Sequence, residues 1–312
     1  MSLYAFLKLV EIKTKLASLF PLIVGLLFVT YRYNTFKPLN TLIFFGSMVL
    51  FDMATTAINN YMDYRKATSE EYRRRENIIG QERIPEWLVV LTILTLVTSA
   101  TALGIWLVVR TDLIVLLAGM LCFAIGILYS FGPIPISRMP LGEIFSGITM
   151  GFGILFLAVY VNAFDQGIAN LVWEGAIVTL RVDLIRFIEI ILVSLPCIFT
   201  ISNIMLANNI CDLDDDIRNH RFTLPYYIGR RYAIWLFNGL YLASFAAILA
   251  CVLLKILPLI MLLVLPVVLP VYRLVKKFNQ KQVKSQTFNV AVKNLVLVNG
   301  TIAVLLMIAV FF

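Results

Sequence analysis

A chain of 312 residues that is 61% hydrophobic and 14% charged, with a mean hydropathy of +0.91, has too little polar surface to cover a globule in water, where about a quarter of residues are charged. The bilayer is the solvent that suits this composition, and it restricts apolar spans to forms that satisfy their own backbone. The net charge of +8 then reports membrane orientation, not a nucleic-acid partner.

A spanning helix needs about 20 mostly apolar residues. Nine such helices are predicted, over 15–31, 40–60, 86–109, 112–131, 142–163, 185–208, 231–254, 257–275 and 290–311. Lys13 and Lys15 precede the first apolar run, Leu16 to Thr30, and no small-residue cleavage site follows it. That run is therefore expected to be a span, not a removed leader. Only Lys255 to Pro258 separate the seventh and eighth spans, which predicts a tight helical hairpin. Pro258, Pro266 and Pro270 are expected to bend the eighth. Cys122, Cys197, Cys211 and Cys251 are scattered, with no C-x-x-C pair, and read as apolar filling. The lone histidine, His220, argues against a His-based metal site and is expected in a loop. The expected fold is all-α, one polytopic domain over 1–312.

With the N-terminus in the cytoplasm, 20 of the 26 Lys and Arg fall on the cytoplasmic side; Arg32, Lys37, Arg110, Arg181, Arg186 and Lys255 fall opposite. This follows the positive-inside rule and puts the C-terminus outside. Two long cytoplasmic loops result, 61–85 and 209–231. Each begins with the same pattern, Asn59-Asn60-Tyr61-Met62-Asp63 and Asn208-Asn209-Ile210-Cys211-Asp212, 149 residues apart. Both follow even-numbered spans, so their host helices run the same way. This predicts two pseudo-repeated halves, roughly 1–140 and 141–312, a common way to build a membrane site. The two motifs are expected to build one polar active site.

At about 100° per residue, Asn59 and Asp63 share a helix face. Glu70 returns to that face if the helix continues, and Asp52 lies on it about 10 Å deeper. Asp52 is expected either to bond between helices or to touch substrate. In the second motif Asn208, Asp212 and Asp216 form one stripe flanked by Asp215, while Asp214 turns away. Four acids within five residues repel one another unless cations neutralise them, and hard oxygen ligands select Mg²⁺. Arg73, Arg74, Arg75, Arg83, Arg218 and Arg221 crowd the same loops and suit phosphate oxygens. A Mg²⁺–diphosphate ligand with an isoprenoid chain in the apolar bundle fits both groups. Tyr61, Tyr64 and Tyr129 either stack on a cation or acceptor, or anchor the interface. Arg138 and Glu143 either bind an acceptor carboxylate or pair with each other.

These motifs resemble the UbiA superfamily of intramembrane prenyltransferases. Further segments resemble its branch acting on 1,4-dihydroxy-2-naphthoate in menaquinone formation. They are Lys13 to Ser18 leading to Pro21 and Gly25, Asn59 to Tyr64, Tyr129-Ser130-Phe131-Gly132-Pro133 through Gly142-Glu143, Asn208 to Asp216, and Arg221 to Leu224 with Gly229. The resemblance implies nine helices around a lateral cavity in a bacterial cell membrane. It implies Mg²⁺ held through diphosphate by Asn59, Asp63, Asn208, Asp212 and Asp216, with Asp215 and Glu70 beside them. Arg73, Arg83, Arg218 and Arg221 become diphosphate ligands, and Tyr129, Arg138 and Glu143 acceptor ligands. Asp63, Asn59 and Asp212 are the expected catalytic residues. The implied reaction moves a polyprenyl group to a ring carbon of the acceptor with loss of CO₂. Asn60 stands where many members have Asp, and Ser69, Glu70 and Glu71 stand where a further Asp is usual. The alternatives are another aromatic acceptor, or a secondary transporter, against which the clustering of acids at one face counts.

Overall fold

The computed structural model describes residues 1–312 except Thr68, Ser69, Glu71, Tyr72, Arg75, Glu76, Pro133, Ile134 and the side chain of Lys13. Arg75, Ser69, Glu71 and Pro133, singled out above, therefore lie outside the described residues. Among the described residues nine helices are long and apolar enough to cross a membrane. They are α1 (Leu16–Tyr33), α2 (Pro38–Lys66), α3 (Glu86–Arg110), α4 (Leu113–Ser130), α5 (Gly142–Gln166), α6 (Leu184–Cys211), α7 (Leu224–Leu253), α8 (Leu259–Gln280) and α9 (Lys284–Phe311). An antiparallel pair, β1 (Ala169–Glu174) and β2 (Ile177–Val182), joins α5 to α6.

The elements follow from local sequence. Asp112 accepts from the amides of Ile114 and Val115, and Asp183 from those of Ile185 and Arg186, so side-chain caps start α4 and α6. The first part of α8, Leu259–Val267, is a 3₁₀ helix of nine residues enclosing Pro266. The expected proline effect is thus a change of helix type. Lys255 takes φ +58° at the turn between α7 and α8. Gly229 takes φ +79° and breaks the first turns of α7 away from the rest. His220 lies at φ +53° in the loop before it.

The chain divides into two compact units, Met1–Ser18 with Pro38–Pro135, and Leu19–Lys37 with Ile136–Phe312. The sequence halves placed the whole first span with the N-terminal part; residues 19–37 cluster with the C-terminal part instead.

In the first unit, α2 packs along α3 and touches α4. The N-terminal helix Leu3–Leu9 buries Ala5 and Leu9 against Ala57, Ile78, Ile79, Ile84 and Val89. Lys15 is buried and its Nζ bonds Asp52 Oδ1 at 2.6 Å and Thr56 Oγ1 at 2.6 Å, while Ser18 Oγ donates to Asp52 Oδ2 at 2.7 Å. Asp52 is thereby an interhelical partner, one of its two expected roles. An unpaired charge at that depth would cost about 3 kcal/mol.

In the second unit, α6 is the central helix, packed by α5, α7 and α9. Gly147 and Gly151, four apart, allow α5 to approach α6 closely: a Cβ at Gly151 would lie 2.6 Å from Ile198 Cα and N. Small residues at this spacing are how membrane helices gain contact where no hydrophobic drive exists between them. Arg32 at the end of α1 makes two bonds to Glu189 of α6, at 3.0 and 2.5 Å, a bidentate clasp. Inside the bundle Asn299 Nδ2 donates to Thr200 Oγ1 at 2.8 Å.

Candidate active site

The second motif sits where α6 runs out of apolar sequence. Asp212 closes α6, and a short helix, Leu213–Arg218, continues almost in register. The amides of Asp212 and Asp216 donate to the carbonyls of Asn208 and Asp212, at 2.9 and 2.7 Å. The spacing of four is thus kept through the junction, and Asn208, Asp212 and Asp216 stay on one stripe. Asp212 is 19% and Asp216 6% exposed by side chain. Asp214 turns away, as expected, to Arg230 at 2.9 Å. Asp215 stands 76% exposed beside Arg218 at 3.6 Å. The two carboxylates of the stripe withdrawn from water are therefore Asp212 and Asp216.

Cations gather on them. Lys284, at the start of α9, donates from Nζ to Asp212 Oδ2. Arg221 lies 3.5 Å from Asp216 Oδ1 and donates weakly to the Ser137 carbonyl at 3.4 Å, and Thr223 Oγ1 lies 3.4 Å from Asp216 Oδ2. Burial, with the charge of Asp212 adding to it, pushes the Asp216 carboxyl up to about 6 despite Arg221. Two carboxylates this close, short of water and only partly neutralised, fit a divalent cation. Among the described residues no group of three His, Cys, Asp or Glu side chains could hold a metal ion, so a cation here would need further oxygen ligands.

The titration of Asp216 predicts a pH effect. A carboxyl raised on folding favours the protonated form. Its contribution is fully present below the ordinary value of 3.8 and is lost as pH rises through about 6, on the order of 2–3 kcal/mol in all. Asp216→Asn is expected to raise the unfolding temperature of the metal-free protein at pH 7.5 and to leave it unchanged at pH 4. Thermal unfolding in detergent with a chelator checks this, and an equal effect at both pH values would refute it.

Glu143, at the start of α5, is buried, and its Oε1 accepts from Asn209 Nδ2 of the second motif at 2.8 Å. Its Oε2 is buried with no hydrogen-bond partner. The Arg138 carbonyl accepts from the Phe222 amide at 3.2 Å. Glu143 thus turns to the second motif.

The first motif is helical throughout, because α2 extends to Lys66. Asn59 Oδ1 accepts from Ser130 Oγ, next to Tyr129, at 2.9 Å. Asn60 Nδ2 donates to the Leu9 carbonyl at 2.9 Å, and its own carbonyl accepts from Asn77 Nδ2 at 2.9 Å. Asn60 therefore serves the fold. Asp63 is half-buried one turn beyond Asn59, and Tyr129 is half-buried on α4. Helical spacing does not carry Glu70 to this face, since α2 ends at Lys66; Glu70 pairs with Arg74 at 3.2 Å, both well exposed. Arg73 stacks on Tyr64 with its guanidinium carbon 4.6 Å from the ring centre, so Tyr64 positions an arginine. Tyr61 bonds Glu86 at 3.1 Å. Arg83 is exposed at φ +50°.

Lys284 escaped the sequence reading. It is 72 residues from Asp212, and in sequence it is one of several lysines before the last span. Asn209 was visible only as a motif letter; its bond to Glu143 shows why the second Asn of the pair matters.

Residues 18–295 match the model of the UbiA prenyltransferase family. A curated relative, 1,4-dihydroxy-2-naphthoate octaprenyltransferase of Bacillus subtilis (strain 168), is 28% identical over 235 residues, 75% of this chain and 67% of the relative. Among solved structures, a UbiA homolog from Aeropyrum pernix K1 superposes with a TM-score of 0.70 at 18% identity, covering 94% of this chain and 98% of that one. A UbiA homolog from Archaeoglobus fulgidus bound to DMAPP and Mg²⁺ gives 0.65 at 16% identity, covering 98% and 97%.

Proposed function

The chain belongs to the UbiA prenyltransferase family, and within it we propose that this integral membrane enzyme transfers a polyprenyl group from its diphosphate to a ring carbon of 1,4-dihydroxy-2-naphthoate. The allylic C–O bond breaks and diphosphate leaves. The ring carbon bearing the carboxylate bonds the allylic carbon, and CO₂ departs, leaving its electron pair to restore the ring. The product is the dihydroxy, quinol form of a demethylmenaquinone. The observation that carries the reading is the withdrawn pair Asp212 and Asp216 with Lys284 and Arg221 against it. The named function of the Bacillus relative supports the choice of acceptor.

Asn208, Asp212 and Asp216, with Asp215 at the edge, would hold Mg²⁺ on the second motif; Asn59, Asp63 and, at longer reach, Glu70 would serve the first. Bound Mg²⁺ supplies Lewis-acid neutralisation of the leaving diphosphate. Arg221, part-buried with its Nε paired to Asp216 at 3.5 Å, would offer its guanidinium to a phosphate oxygen; Arg73, Arg83 and Arg218 would add charge from the loops. Asp63 orients or deprotonates the acceptor hydroxyl. The unpartnered Glu143 Oε2 offers a second contact to the acceptor, with Tyr129 and Arg138 beside it in sequence as further candidates. The apolar spans keep water from the developing carbocation. The positive-inside bias supports a cytoplasmic position for both motifs and an outside C-terminus.

The test is incubation of purified protein in detergent with Mg²⁺, a series of polyprenyl diphosphates and a panel of aromatic acceptors, followed by mass analysis. A product heavier than naphthoate by the prenyl group and lighter by CO₂ is expected. Prenylation of a hydroxybenzoate alone would move the reading to another acceptor. Uptake by proteoliposomes without any prenyl product would move it to transport.

A further inference from the structure

We propose that the hairpin Ala169–Val182 is a membrane-surface anchor, lying on the bilayer with one face against the boundary between head groups and acyl chains. The side is opposite the two motifs, because the motifs follow the second and sixth spans and the hairpin follows the fifth.

The sequence of the hairpin separates by face. Strand side chains alternate, and the register pairs Ala169 with Val182, Leu171 with Leu180, and Trp173 with Val178. All six are apolar, and they share one face. The other face carries Asn170, Glu174, Thr179 and Arg181 among Val172 and Ile177. Glu174 and Arg181 lie 3.8 Å apart there, both open to water. On the apolar face Trp173 is 62% exposed and Leu180 58%. Both stand open among the described residues, as does Ile177 on the other face at 65%.

The base of the hairpin is fixed while the tip projects. Tyr160 of α5 donates from its hydroxyl to the Ala169 carbonyl at 3.0 Å, and the Asp183 amide donates to the Ile168 carbonyl at 3.0 Å. Ile168 is fully buried. Gly175, at φ +66°, opens a two-residue turn, the geometry tight hairpins require. Six residues reach about 20 Å, far enough to lie along a surface but not to belong inside it. A two-stranded pair leaves open backbone edges, which hydrocarbon does not tolerate and the hydrated head-group layer does.

The occupant follows from continuity. The hairpin ends two residues before Leu184, and Leu184, Ile185 and Ile188 are 67%, 74% and 51% exposed at the start of α6. These belong to the lipid-facing wall of a membrane-spanning helix, so the uncovered apolar face begins where lipid contact already exists. A Trp on that face matches the preference of indole for the interface, and Arg181 on the other matches the head groups.

The test uses the full chain in liposomes, with Trp87, Trp106 and Trp235 replaced by Phe to leave Trp173 as sole emitter. Brominated phosphatidylcholine is expected to quench at least half of its emission, and aqueous iodide little of it. Quenching by iodide and not by bromolipid overturns the proposal. Emission insensitive to both, but altered as protein is diluted into lipid, overturns it in favour of contact with a second copy. Should the triple variant not fold, Trp173→Phe in the otherwise native chain serves: the loss of bromolipid-quenchable emission is expected, and an unchanged quenched fraction refutes it.

Discussion

Asp212→Asn is expected to cut Mg²⁺-dependent prenyl transfer by about 10²–10³-fold, the size of effect that losing several kcal/mol of charge stabilisation at a leaving group brings. Asp212 is the carboxylate of the second motif that lies at the end of α6, 19% exposed, and bonds Lys284. Its replacement removes one anion from the pair that Asp216 completes. The fold should survive, because Asn keeps the shape and the hydrogen bond from the residue 212 amide to the Asn208 carbonyl is backbone. Binding of Mn²⁺, followed by its electron spin resonance signal, provides a readout apart from turnover, and it should weaken in parallel. Asp63→Asn tests the first motif in the same assay. Near-normal activity in both variants would remove the site assignment altogether. Lys284→Gln separates metal from counter-ion: an ion pair with its ammonium half in water is worth about 1 kcal/mol, so Mn²⁺ should bind about fivefold tighter once no ammonium competes for Asp212. Weaker Mn²⁺ binding in that variant would show that Lys284 is not a competitor.

Gly151→Leu is expected to be the most damaging single change to the fold. The new Cβ would meet backbone atoms of Ile198 at 2.6 Å, and a helix axis, unlike a side-chain tip, does not yield locally. Overpacking of this kind costs about 3 kcal/mol or more. Loss of the monodisperse peak in detergent chromatography and a much lower unfolding temperature would report it. Gly239→Leu is the matched control: nothing lies within 4 Å of a Cβ there, so lipid or detergent takes up the side chain with little effect. Equal damage at both positions would show that added bulk in a span, not the approach of α5 to α6, sets the outcome.

The spans were legible because burial in lipid demands long apolar runs and tolerates few alternatives. The ends were less so: α2 and α6 continue to Lys66 and Cys211, past the points where hydropathy falls, because caps and side-chain bonds carry a helix beyond its apolar stretch. The hairpin was missed for a related reason. Its alternation is readable, but the stretch 164–184 lies between two strong helical signals that mask it. Helical spacing worked for Asn208, Asp212 and Asp216, where the backbone stays in register, and failed for Glu70, where it stops. Asp215 shows a subtler limit: position on a wheel gives direction, but Arg218 one turn on holds that side chain outward. Lys284 had no local signal at all, since its partner is brought to it by the packing of α9 on α6.

The buried pair of Lys15 and Asp52 has a consequence for biogenesis. Asp52 lies in the middle of α2, while Lys15 stands just ahead of α1. During synthesis Lys15 leaves the ribosome well before Asp52, so for a time neither charge has its partner. Isolated in lipid, α2 would carry a carboxylate costing about 3 kcal/mol; docked against the N-terminal segment it carries a neutral, fully bonded pair. Insertion of α2 is therefore favoured once the N-terminal segment is there to receive it, with Lys15 acting as a counter-ion made in advance of its acid.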